Sequence, residues 1–391
     1  MRVVIRIVQI LVGILFIISG LVKANDPLGL SYKMQEFFEI WNTSLTGGHF
    51  FAKNILINLF DYLHAHSLLL SIVMITLEIV AGVALLIGWK KKFILYLLLV
   101  LIVFFTFLTG YAFLSTNPDG SPKFTNCGCF GDCLPITPGT SFTKDLLLLI
   151  FIILLLVGNK YIQPVLTKRF RNITLLTSLV LSILFQWYVL NYLPLVDCLP
   201  FKKGNNIAEQ MKPPPGAIPD SIAIRFIYEK GGKRFEFAPE SLPADFETYT
   251  YIDRIDKLVR KGNAEPRIKG FSLVDSSGQD YTQPVLSEPA SILLFALDLS
   301  TSNHWLNNLK NIVTIAQQKN IPVFCVTSDR EGFIQFFAQN KLVIPVLACD
   351  FTVIRTAART NPTLYSLKKG TIQKKYSYHN FDQAANEIKK L

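Results

Sequence analysis

The chain has 391 residues, half of them hydrophobic, and a formal net charge of +11. That length allows two or three domains, and so large a hydrophobic share argues against a wholly soluble protein. Nucleic-acid binding is not expected, because the positive charge is spread along the chain. Residues 1–195 carry fourteen Lys or Arg against eight Asp or Glu, the remainder carries +5, and no basic block has interleaved aromatics.

In chain order, five stretches approach the about 20 mostly apolar residues that cross a hydrocarbon core. They are residues 3–22, 67–87, 93–114, 142–162 and 173–195. In the fourth, the uninterrupted apolar core is only residues 146–157, which Phe142 and Ile162 extend with polar interruptions. Basic residues cluster before the first span (Arg2, Arg6), between the second and third (Lys90, Lys91, Lys92) and between the fourth and fifth (Lys160, Lys168, Arg169, Arg171). If every span crosses once, all three clusters share one side, which the positive-inside rule makes the cytoplasm. The expected location is the inner (cytoplasmic) membrane, multi-pass, with everything after residue 195 periplasmic or extracellular. Arg2, Arg6 and the apolar run before Lys23 also resemble a signal peptide. The length of the run and Lys23 beside the cleavage position favour a retained helix, and cleavage leaves the other loops on the same sides.

Two features of the spans invite a ligand or a structural pairing. Ser19 and Gly20 are small enough for another helix to approach closely. Lys23 and Asp26 follow at the outer boundary, three residues apart, and Pro27 limits continuation of the helix. Lys23 could anchor the helix end or meet a quinone or other anionic headgroup. Glu78 lies in the middle of the second span, where a carboxylate is costly. It could serve a helix–helix hydrogen bond, with Gln186 of the fifth span as a candidate partner, or a proton relay or cofactor ring.

The chain has six cysteines. Cys127, Cys129 and Cys133 lie between the third and fourth spans, and Cys198 lies just past the fifth. On this topology all four sit outside the cytoplasm, where disulfides persist. Four cysteines allow three pairings. A Cys127–Cys129 bond would be strained and oxidising, and Cys198 reaches the loop if the fifth span packs beside the third or fourth. Three readings stand: structural disulfides, thiol–disulfide exchange, and metal or cluster binding. Cys-x-Cys-x3-Cys is not a standard zinc spacing, so no metal ligands are assigned.

The segments Ser19-Gly20…Lys23…Asp26-Pro27, the Glu78-bearing span, Asn126-Cys127-Gly128-Cys129-Phe130-Gly131-Asp132 and Ser141-Phe142-Thr143-Lys144-Asp145 resemble the DoxX/MauE-type membrane proteins. Cys-Gly-Cys-Phe-Gly is the most specific piece. The resemblance implies a four-helix membrane core, here with a fifth span and a large outer domain as in a Bacteroidetes-like DoxX subgroup. It implies redox chemistry: periplasmic disulfide formation in some members, thiosulfate:quinone chemistry in others.

Beyond the spans, Lys212-Pro213-Pro214-Pro215-Gly216 reads as a semi-rigid spacer. Residues 222–228 and 234–237 read as a hairpin around Gly231-Gly232. Strands at 291–296, 321–327, 344–348, 363–367 and 371–378 alternate with helices at 305–318, 332–339 and 381–390, an α/β pattern with a partly parallel sheet. This order, with Asn361-Pro362-Thr363, resembles a thioredoxin-like domain carrying a cis-proline. The resemblance breaks where the family carries Cys-x-x-Cys, because residues 297–305 contain no cysteine. The domain is therefore expected to bind a partner rather than exchange disulfides. Cys325 and Cys349 read as buried small hydrophobes, and His304 and Trp305 as contact surface or core.

The expected fold is thus a membrane α-helical bundle, residues 1–195, then a linker and small β-rich module, residues 196–270, then a soluble α/β thioredoxin-like domain, residues 271–391. The expected function is thiol oxidation or disulfide transfer outside the cytoplasm through Cys127, Cys129, Cys133 and Cys198, with Lys23 and Glu78 near a quinone. The expected partners are the lipid bilayer and periplasmic protein thiols or a separate redox protein. The alternatives are a non-catalytic membrane scaffold and metal handling.

Overall fold

The structure, a computed structural model, describes residues 1–46, 53–117, 121–124, 133, 136–260 and 262–390. Five helices are long and apolar enough to cross a membrane: α1 (Arg2–Ala24), α4 (Ser67–Ile87), α5 (Lys91–Leu114), α6 (Pro138–Val157) and α7 (Lys168–Tyr192). Between the first two lie α2 (Pro27–Thr46) and α3 (Lys53–Ala65), which the hydropathy profile did not suggest. Pro27 does not merely end α1; it starts α2, since its fixed φ and missing N–H suit a first helical position. Leu30, Met34, Phe37 and Phe38 then bury one face of α2.

The fourth span is displaced from its expected bounds. Thr137 caps α6 through its hydroxyl, and the helix stops at Gly158, before the short turn Asn159–Tyr161. The fifth span ends three residues early because Leu193 takes a left-handed φ of 81°.

Close helix contact organises the bundle. A Cβ on Gly82 would sit 2.8 Å from the Gly13 carbonyl oxygen, and one on Gly20 would sit 2.5 Å from Ile79 Cγ1. Glycine at these positions lets α1 and α4 pack backbone to backbone, which replaces the missing hydrophobic drive between helices in lipid. α5 packs on α6, and α7 packs mainly on α4. The three basic clusters meet at one end: Arg2 bonds Gln163, Lys91 bonds the Ile162 carbonyl and Trp89 bonds Asn172. The opposite end is the far end of the bundle.

After α7 comes a four-residue helix, α8 (Ile207–Gln210), and then a three-stranded antiparallel sheet in the order β2-β1-β3. Its strands are β1 (Ser221–Lys230), β2 (Lys233–Phe237) and β3 (Thr250–Arg260). Gly231 and Gly232 both take positive φ, closing the expected β1–β2 hairpin with Lys230 opposite Lys233. β3 was not expected, because charged residues interrupt its apolar alternation. Among the described side chains of this sheet none is buried.

The final unit is a five-stranded sheet in the order β6-β5-β4-β7-β8. Its elements in sequence are α9 (Thr282–Ser287), β4 (Ser291–Phe295), α10 (Ser302–Gln318), β5 (Val323–Thr327), α11 (Arg330–Gln339), β6 (Val346–Ala348), α12 (Phe351–Ala357), β7 (Thr363–Lys368), β8 (Thr371–Ser377) and α13 (Phe381–Ile388). β4, β5 and β6 run parallel, while β7 is antiparallel to β4 and to β8. β4 is buried on both faces: Ile292 and Leu294 join a core with Trp305 and Phe381, whereas Leu293 and Phe295 join another with Phe201 and Ile354. The Asn361–Pro362 bond is cis.

Candidate functional site

The α1–α4 contact generates the first half of the site. Because Gly20 rests against Ile79 and Glu78, one further turn of α1 carries Lys23 to the same level of α4. Lys23 Nζ lies 2.5 Å from Glu78 Oε1, and the side chains are only 3% and 2% exposed. The ammonium also sits 4.3 Å from the centre of the Phe105 ring on α5. Two expectations are corrected here. Lys23 turns into the bundle instead of standing at the boundary beside Asp26. Gln186 bonds Thr76 at 3.0 Å instead of Glu78, because residues two apart on a helix point to different faces.

Asp145 of α6 approaches from the other side. It is buried, accepts a hydrogen bond from Thr109 of α5 at 3.0 Å and pairs with Lys144 at 2.8 Å. In the sequence Lys144 and Asp145 stand within the segment that carries the family resemblance. A charged pair inside an apparent span was the signal that could have found them. Lys23, Glu78, Lys144 and Asp145 line one small cavity of about 30 Å³.

The second half of the site is the cysteine cluster. Cys133 and Cys198 form a disulfide. Cys127 and Cys129 lie outside the described residues. The condition expected for Cys198 was packing of the fifth span against the third or fourth, but α7 packs mainly on α4. Cys198 reaches the loop because the chain after α7 crosses the far end and is held there. Asn25 bonds both the carbonyl and the amide of Val196, at 2.8 and 3.0 Å. Asp197 pairs with Lys375 of β8 at 2.7 Å. Burial pushes the Lys375 ammonium below its ordinary range, and Asp197 counters that shift.

The α/β domain docks on this end. Asp26 caps α2 through the Gly29 amide and pairs with Arg359 at 2.9 Å; it does not pair with Lys23. Ser377 bonds the Asn191 carbonyl, and His379 lies 3.2 Å from the Asn191 side chain. Where a cysteine pair was sought, Thr301 donates to the Asn361 carbonyl at 2.6 Å and Leu297 N–H donates to the Asn361 side chain at 2.9 Å. Trp305 is fully buried and His304 is exposed. Cys325 and Cys349 are free and buried. Burial raises both thiols, Cys349 to about 11 and Cys325 further. Among the described residues no group of three or more His, Cys, Asp or Glu is arranged to hold a metal.

Residues 1–158 match the model of the family described as Methylamine utilisation protein MauE. With the apolar helices of that stretch, the match makes the amino-terminal part similar to MauE-type membrane proteins, and the chain a multi-pass membrane protein. Residues 222–261, the three-stranded sheet, match a family described as a domain of unknown function (DUF8463). Comparisons with curated proteins and with solved structures gave no match.

Proposed function

We propose that this protein supports thiol oxidation or disulfide transfer at the far face of the membrane, the non-cytoplasmic face by the positive-inside rule. The observation that carries the reading is the Cys133–Cys198 disulfide, which ties the cysteine-rich loop to the segment entering the α/β domain. In the exchange step a client thiolate attacks this bond, one sulfur leaves as thiolate, and a mixed disulfide forms. A second client thiol resolves the mixed disulfide. The client gains a disulfide, and Cys133 and Cys198 receive two electrons and two protons. Cys127 and Cys129 are the proposed second pair. Regeneration takes a two-electron acceptor outside this chain. A membrane quinone is the class implied by the resemblance, with Lys23 and Glu78 as the residues proposed to meet it.

We read the α/β domain as thioredoxin-like on its strand order, and as a binding or positioning unit. Its cysteines are buried, and the Thr301 and Asn361 hydrogen bonds fill the position where a thiol pair was sought. The same observation favours a second reading, a membrane scaffold whose disulfides are structural. Mass-tagging of free thiols in cells, before and after inhibition of the quinone pool, separates the two. The redox reading expects a mixed population at Cys127, Cys129, Cys133 and Cys198 that shifts on inhibition. Cysteines that stay fully oxidised under both conditions sink it and leave the scaffold.

A further inference from the structure

A second cavity, independent of the cysteines, opens between α2 of the membrane domain and α12 of the α/β domain. It measures about 300 Å³, at the small end of the roughly 300–1,000 Å³ typical of ligand sites. The lining of this crevice carries both signs of charge. Arg355 stacks on Tyr32 with its guanidinium 3.7 Å from the ring centre and bonds the Gln35 side chain. Among the described residues no carboxylate lies within ion-pair distance of Arg355. The same lining holds Glu36 and Glu39. Glu36 pairs with Lys33, and Glu39 lies 2.9 Å from the His64 ring, so two carboxylates stand there against one lysine.

The depth of the crevice follows from three contacts between α2 and the start of the second span. Ser71 bonds the Pro27 carbonyl, Ser31 bonds Ser67, and Gln35 bonds Ser67. α2 therefore runs antiparallel to α4 and passes its first residue at Ser31. Tyr32, Glu36 and Glu39 lie one, five and eight residues beyond that level, roughly 2, 8 and 12 Å at the helical rise, so Glu36 stands within the headgroup layer and Glu39 at its outer edge. Headgroups occupy about 5–8 Å on each side of the hydrocarbon core. An unpaired guanidinium, two carboxylates set against one lysine and headgroup depth together describe the complement of a zwitterion with a phosphate and an ammonium.

We propose that this crevice binds the headgroup of a phosphatidylethanolamine-type lipid, its phosphate on Arg355 and its ammonium between Glu36 and Glu39. Arg355 offers a planar fork that meets a phosphate with two parallel hydrogen bonds. Its stacking on Tyr32 holds the fork in place. The lipid then becomes part of the joint between the two domains.

The test uses the full chain in nanodiscs of phosphatidylcholine doped with phosphatidylethanolamine or phosphatidylglycerol, with retained lipid read by native mass spectrometry after release. The expected result is phosphatidylethanolamine retained about tenfold above the other two, the scale of one lost charge-assisted hydrogen bond. Arg355→Ala abolishes retention. Glu36→Gln with Glu39→Gln abolishes the preference but not retention. Arg355→Lys, which keeps the charge and loses the fork, retains the lipid more weakly in a chain that still docks. Equal retention of all three lipids, preference for phosphatidylglycerol, or an unchanged Arg355→Ala profile overturns the proposal. Displacement by millimolar inorganic phosphate alone also overturns it and makes the site one for free phosphate.

Discussion

In the bundle, Lys23, Glu78 and Asp145 are buried yet each has an oppositely charged neighbour; in the α/β domain, Cys325 and Cys349 are buried with nothing to stabilise a thiolate. The difference lies in what burial demands. A charge in lipid or protein survives only when paired and hydrogen-bonded. A thiol adapts by staying protonated and packing as a small hydrophobe. The bundle therefore keeps polar chemistry in its interior, and the α/β domain keeps its cysteines silent and contributes surfaces instead. Cys133 and Cys198 stand between these regimes, at the joint, as a disulfide.

The largest expected effect tests the paired charges. Glu78→Ala leaves the Lys23 ammonium buried beside Phe105 and is expected to cost about 3–5 kcal/mol in detergent unfolding, with Lys23→Met plus Glu78→Leu recovering most of it. A cost below about 1 kcal/mol, the range of solvated pairs, would erase the contrast between the two regions. Next comes the joint. Cys198→Ser opens a link spanning 65 residues and is expected to cost about 2–4 kcal/mol, read by thermal unfolding and by limited proteolysis between the domains.

A smaller effect concerns the silent thiols. Cys325→Ala is expected to cost only about 1 kcal/mol, as for other small truncations in a core. Maleimide should label neither Cys325 nor Cys349 in the folded chain at mildly alkaline pH. Rapid labelling of Cys349 would mean that the segment after β6 opens and that burial does not govern this domain.

The smallest effect is a pH dependence of docking. Burial, with His304 adding to it, holds the His379 imidazole below its ordinary 6.5. The docked state therefore binds fewer protons than the free state between the lowered value and 6.5. Its contribution is fully present above 6.5 and is lost as pH falls through the lowered value. Protection factors across 371–381, corrected for the intrinsic pH dependence of exchange, should fall on mild acidification in the native chain and not in His379→Asn; equal behaviour of the two rejects His379 as the cause.

Much of this architecture was legible in the sequence because its signals are local. A membrane span announces itself within 20 residues, and most strands of the α/β unit are short apolar runs between helical patterns. α2 was legible in principle, through Leu30, Met34, Phe37 and Phe38 at helical spacing behind Pro27, but its low overall hydropathy hid it from a search for spans. β3 was hidden because Asp253, Arg254 and Asp256 interrupt its apolar alternation on a sheet with no buried side chain among those described.

The sequence by itself determined five spans, the common end of the basic clusters, the α/β order and the lack of a cysteine pair after β4. Each follows from composition within one segment. Tertiary structure alone decided that Lys23 turns inward to Glu78, that Asp26 serves Arg359, and that Cys133 takes Cys198. These partners are 55, 333 and 65 residues apart. Which charge meets which is set by where glycine lets two helices touch and where one domain rests on another. No stretch of sequence read on its own contains that information.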